Sequence, residues 1–130
     1  MNFTFPKKER ICRKIIIDKL FCGGNTAMTV FPLRAIFMTE HLNDGDKYPV
    51  QVIVSVSKRR MRRAVDRNRL KRQIREAYRL NKNQLLQYCN EHAVKLYIAF
   101  VALAEEACQT EKVEHSMIKL LRKTQEKICE

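Results

Sequence analysis

Eleven basic side chains, nine of them Arg, fall between Lys58 and Arg79, against only Asp66 and Glu76 as acids. This 22-residue segment carries +9. A guanidinium is a planar, weakly hydrated fork that pairs with phosphate and base edges, so the chemistry on offer is recognition of a polyanion. Other reactive residue types are dispersed. His41, His92 and His115 have no partner at metal-ligand or triad spacing. Ser55 and Ser57 precede the Lys-Arg run without an adjacent general base. Asp44 and Asp46 fall in a turn-forming Asn43-Asp44-Gly45-Asp46 stretch that lacks the other ligands of an EF-hand. A metal-dependent protein nuclease needs converging carboxylates, and these acids are scattered. Cys12, Cys22, Cys89, Cys108 and Cys129 are separated by 10, 67, 19 and 21 positions. That spacing suits neither a disulfide framework nor a zinc knuckle, and reduced thiols are predicted.

The basic segment needs a scaffold. At 100° per residue, a helix from about Arg62 to Arg79 puts Leu70, Ile74, Ala77 and Tyr78 on one core-facing stripe. Asn68, Arg72, Arg75 and Arg79 fall nearly opposite, with Arg69 beside them; Arg63 and Arg67 lie nearer the apolar side and are predicted to reach around its edge. Like charges at helical spacing repel, so an anionic partner should offset them. A membrane surface would also suit a basic amphipathic helix, but Leu70, Ile74 and Tyr78 fit a protein core equally well.

Around this helix the pattern predicts a short helix ending at Phe21 before Gly23 and Gly24, a short strand near Ala27 to Phe31, and strands over Leu33 to Thr39 and Val50 to Ser57. His41 to Tyr48 reads as a hairpin loop between the last two. Gln84 to Glu91 is helical in composition, Lys95 to Val101 is a fourth strand, and Thr110 to Ile128 is a closing helix. The order is α-β-β-β-α-β-α. With 130 residues and no linker or repeat, one domain over 1–130 is expected. The total charge, 26 Lys and Arg against 14 Asp and Glu, is +12, so only +3 lies outside the basic segment. No apolar run approaches the roughly 20 residues of a bilayer span, and the N-terminus lacks the apolar stretch of a secretory signal. A cytoplasmic chain without a membrane partner is expected.

Read from Ser55 to Arg79, SVSKRRMRRAVDRNRLKRQIREAYR closely resembles the "RNR" helix of the bacterial ribonuclease P protein subunit, through Arg67-Asn68-Arg69, Leu70-Lys71-Arg72 and Ile74-Arg75-Glu76. The resemblance extends to Phe5-Pro6-Lys7, Arg10-Ile11, Leu20-Phe21, Pro32-Leu33-Arg34, the strand end at Ser55-Val56-Ser57-Lys58, and Ala64-Val65. Over the last 25 or so residues only helical character matches.

The resemblance implies an α+β fold: a two-layer α/β sandwich on a four-stranded sheet, ribosomal protein S5 domain 2-like, with a left-handed βαβ crossover, against the usual hand. It implies one chain bound to one catalytic RNA, and assistance to that RNA in removing the 5′ leader from precursor tRNA. Chemistry would then belong to the RNA, with Mg2+ held mainly by the RNA subunit and substrate and no catalytic residue in the protein. Carried over by position, Lys58, Arg59, Arg62, Arg63, Arg67, Asn68, Arg69, Lys71, Arg72 and Arg75 would contact the catalytic RNA. A cleft between the first helix and the sheet would hold the leader, with Arg13, Lys14, Ile17, Phe21, Arg34 and Phe37 as its candidates. Phe21 and Phe37 stand where the family offers aromatic platforms for unpaired bases, and core packing is the alternative use of each. Two departures are visible: Ile17 replaces an aromatic common in relatives, and Ile53 a small residue. Other readings are a structural ribosomal-type RNA-binding protein without processing activity, a DNA-binding regulator, and a stand-alone nuclease; the last two lack the flanking motifs they need.

Overall fold

The computed structural model describes residues 14–23, 25–46, 48–106 and 108–129. Eight elements follow one another: α1 (Lys14–Phe21), β1 (Thr26–Val30), β2 (Leu33–His41), β3 (Val50–Val56), α2 (Ala64–Asn81), α3 (Asn83–Glu91), β4 (Val94–Ala102) and α4 (Thr110–Cys129). The mixed four-stranded sheet runs β1-β2-β4-β3, antiparallel except for the parallel pair β3 and β4. The fold is α+β, as expected. The helical stretch between β3 and β4 is two helices: α2 stops at Lys82, where Asn81 Nδ2 donates to the Ala77 carbonyl at 2.8 Å and draws on α2's own backbone.

One expectation fails at the sheet's centre. His41 to Tyr48 does not close a hairpin, because β2 and β3 do not pair; β4 lies between them. From Leu96 to Phe100 every side chain of β4 is buried, on both faces, and a strand covered on both faces belongs inside the sheet. The β2–β3 connection therefore crosses the start of β4, where Leu42 N–H donates to the Ala93 carbonyl at 2.9 Å and Leu96 N–H to the Pro49 carbonyl at 2.8 Å.

Lys95 fixes that crossing. Its Nζ is paired with Asp46 at 2.8 Å and also donates to the Tyr48 carbonyl, with the side chain only 9% exposed. Burial works to raise the Asp46 carboxyl, but the Lys95 hydrogen bond, the Tyr48 N–H and the nearby ammonium charge together bring it below its ordinary value. A depressed folded value stabilises the fold above the unfolded carboxyl range, near pH 4, and that contribution disappears as pH falls through the lowered value. Lys95→Met should cost about 1–2 kcal/mol at pH 7, less than a fully buried pair because Asp46 is part-exposed. It should also flatten the loss of stability between pH 5 and pH 3, as read from urea midpoints.

Helices pack on both faces. Leu33, Ala35, Phe37, Val50, Val52, Ile98 and Phe100 point toward α2, α3 and α4 and form the larger core with Leu70, Ile74, Tyr78, Met117 and Leu120. Among the described residues the other face carries only α1, whose Ile16 and Leu20 sit on Tyr97 and Ala99, edged by Ile17, Ile36, Met38 and Ile53. The two-layer description thus holds for the main core, and α1 adds a short partial layer. Asn25 Nδ2 caps α1 by donating to the carbonyls of Lys19 at 2.7 Å and Leu20 at 3.1 Å. Gly23, at φ +96°, makes the left-handed turn that leaves the helix. Cys89 is fully buried, and burial pushes its thiol up to about 11. No described helix is long and apolar enough to cross a membrane.

Candidate nucleic-acid interface

The interface begins where β3 ends. The chain turns through residues 57–63, with Met61 N–H donating to the Ser57 carbonyl at 3.0 Å and Arg59 N–H to Ser57 Oγ at 3.1 Å. Met61 is 3% exposed and pins the turn to the core, so its neighbours Lys58, Arg59, Arg60, Arg62 and Arg63 are all driven outward. Arg60 Nη1 is held by the Leu103 carbonyl at 3.2 Å, which ties the turn to the chain leaving β4.

Helix α2 then carries the charge along its outer side. Leu70, Ile74, Ala77 and Tyr78 are its buried residues, and Asn68, Arg69 and Arg72 are exposed opposite them. Lys71 and Arg75 are half-buried on one flank. On the other flank Gln73 Nε2 donates to the Cys108 carbonyl at 2.9 Å and to Thr110 Oγ1 at 3.2 Å, which locks α2 against the start of α4. The helix is thereby fixed in rotation, with its cationic face outward.

Arg67 has a separate task. Its Nη1 donates to the carbonyls of Met61 at 3.0 Å and Arg62 at 2.7 Å. It folds back around the helix edge, as its angular position suggested, and shapes the basic turn. Arg63, the residue before the helix, makes no side-chain cap and lies 3.9 Å from Asp66, the only acid of the first turn. A helix N-terminus already carries partial positive charge, and Arg62, Arg63, Arg67 and Arg69 add to it. The free chain thus concentrates unfavourable potential where a phosphate would relieve it. Farther along, Arg79 is paired with Glu76, whose carboxyl this hydrogen bond and the guanidinium charge hold below its ordinary value despite slight burial.

The second candidate surface is the α1 face of the sheet. Strand register builds its floor in rows: Ile36, Ala99 and Ile53, then Arg34, Val101 and Ser55. The second row runs from the exposed Arg34 toward the basic turn. Phe21 is 45% exposed at the end of α1, Lys14 is exposed, and Ile17 is half-buried beside Ile36 and Ile53. Arg13 lies outside the described residues. Phe37 is corrected: it is 6% exposed and belongs to the core under α4, on the opposite face from Ile17, Phe21 and Arg34. Alternate residues of a strand face opposite sides, so Phe37 accompanies Leu33 and Ala35, whereas Arg34 accompanies Ile36 and Met38. The sequence reading missed Ile36, Met38, Tyr97 and Val101, which that same alternation would have placed on the cleft floor.

The family model for ribonuclease P matches residues 5–125. The chain belongs to the ribonuclease P protein family. The ribonuclease P protein component of Porphyromonas gingivalis strain W83 is 38% identical over 123 residues, covering 92% of this chain and 85% of that protein. That of Chlorobaculum tepidum is 31% identical over 125 residues, covering 92% and 81%. The solved Staphylococcus aureus RNase P protein shares the fold at a TM-score of 0.65 and 20% identity, over 89% of this chain and 94% of that one. A mutant of the same protein, described as defective in mRNA degradation, gives 0.66 and 21%, over 91% and 89%. As a ribonuclease P protein component the chain is part of an endoribonuclease holoenzyme and serves in tRNA processing. The ribosomal alternative gives way to this membership.

Proposed function

We propose that the chain docks on the catalytic RNA of ribonuclease P through the 57–63 turn and the outer face of α2. It holds the single-stranded 5′ leader of precursor tRNA over the α1 face, while the RNA cleaves. The observation that carries this reading is the segregation on α2: exposed Asn68, Arg69 and Arg72 back onto fully packed Leu70 and Ile74, so the cations are presented on a rigid rod. Lys58, Arg59, Arg62, Arg63, Lys71 and Arg75 extend that surface, and Arg67 supports it from within. Among the described residues no three His, Cys, Asp or Glu side chains gather to hold a metal ion. This reading leaves Mg2+ to RNA and substrate. One chain per RNA, in the cytoplasm, completes the reading.

Reconstitution tests it: cleavage of precursor tRNA by the organism's ribonuclease P RNA at low Mg2+ should rise steeply when the chain is added. No stimulation would overturn the reading. The leader surface is tested by Phe21→Ala. Stacking of a base on an aromatic is worth about 1–3 kcal/mol, so the holoenzyme should lose about 5-fold or more in affinity for precursor tRNA and little for mature tRNA. Equal loss for both would return Phe21 to a packing role.

A further inference from the structure

A second aromatic lies exposed on the other side of the sheet. Phe31, in the β1–β2 turn, is 59% exposed and lines a cavity of about 640 Å³ with Leu103, Glu105, Glu106 and Lys112. Lys112 Nζ stands 5.3 Å from the centre of the Phe31 ring. Register puts the cavity beside the basic turn: Leu33 and Val56 both pair with Ala102, so the Phe31 turn, Leu103 and Ser57 meet at one end of the sheet. There Arg60 rests on the Leu103 carbonyl with its side chain exposed. An aromatic face, an apolar wall and the Lys112 cation within one cavity, with Arg60 beside it on Leu103, are what an unpaired nucleotide requires.

We infer that this cavity is a further RNA site, in which one unpaired, amino-bearing base of the ribonuclease P RNA stacks on Phe31 while Lys112 and Arg60 meet its phosphate. The inference rests on the docking reading above, and it commits to the catalytic RNA because the cavity adjoins the turn that would dock there through Leu103, which lines the cavity and holds Arg60. Glu105 and Glu106 make the site hostile to a run of phosphates, which limits the occupant to a single base. A carboxylate accepts hydrogen bonds from an exocyclic amino group, as Glu and Asp do from cytosine N4, and this favours cytosine, adenine or guanine over uracil.

Affinity of the chain for ribonuclease P RNA, measured with Phe31→Ala, Phe31→Trp and Lys112→Glu, tests it. Phe31→Ala should weaken binding roughly 5- to 100-fold. Phe31→Trp should keep it, and Lys112→Glu should weaken it. A photo-reactive benzoyl-phenylalanine at position 31 should crosslink to an unpaired C, A or G of that RNA. Unchanged affinity for Phe31→Ala and Lys112→Glu, or a crosslink only to U or to no nucleotide, overturns the site. If Arg69→Ala/Arg72→Ala still weakens binding in that case, the docking reading survives alone. If that pair changes nothing, the docking reading fails and takes this inference with it. Circular dichroism melts confirm that each variant is folded, which the exposure of both side chains favours.

Discussion

The double substitution Arg69→Ala/Arg72→Ala should lower affinity for ribonuclease P RNA by about 100-fold at moderate salt while leaving the melting temperature nearly unchanged. Both side chains are exposed on the outer side of α2, so no core contact is lost with them. A hydrogen bond to a charged group contributes about 1.5–3 kcal/mol, and two such losses span that effect. The signature is the salt dependence. Each phosphate contact releases condensed counterions and adds about 0.7–0.9 to the slope of log affinity against log salt, so the double variant should flatten the slope by about 1.5. Filter binding across a salt series reads both quantities. Unaltered affinity and slope would remove the α2 face from the interface. Arg67→Ala should behave differently: the turn loses the donor that holds the Met61 and Arg62 carbonyls, so RNA affinity should fall together with stability.

That contrast shows where sequence suffices. The α2 stripe of Leu70, Ile74, Ala77 and Tyr78 is legible because 3.6-residue periodicity is a local property, and the same arithmetic puts Arg67 near the helix edge. Which carbonyls Arg67 reaches depends on the path of residues 57–63, and Met61 sets that path by inserting into the core, a tertiary event no local pattern encodes. Phe37 is a different failure. Arg34 and Phe37 are three residues apart on one strand and cannot share a face, so strand alternation alone contradicts their assignment to one cleft. The hairpin failed for a non-local reason. An Asn-Asp-Gly-Asp loop between two strands looks the same whether the strands pair or a third lies between them. The clue sat some 50 residues downstream, in the uninterrupted apolar run of β4.

Ile74→Ala should be strongly destabilising, costing about 2–5 kcal/mol and lowering the melting temperature by roughly 10–15 °C. Ile74 is 0% exposed, one turn from Leu70 and from Tyr78, whose ring centre lies 6.0 Å from that of Phe100 in the middle of the sheet. Truncation leaves a cavity between α2 and the sheet that the helix cannot close. Gln73 fastens its neighbouring flank to the start of α4, and Met61 and Arg67 fasten the turn that precedes it. These restraints keep the outer face of α2 oriented while the helix stays docked. At temperatures well below its own melting point, Ile74→Ala should therefore bind RNA with nearly the parent affinity and the parent salt slope, and should lose both only as it unfolds. Chemical denaturation gives the stability loss, and binding at two temperatures separates it from the interface. A variant that is fully folded yet binds with a flattened slope would mean that the cations are not held as a rigid unit, and that the packed stripe does not set their geometry.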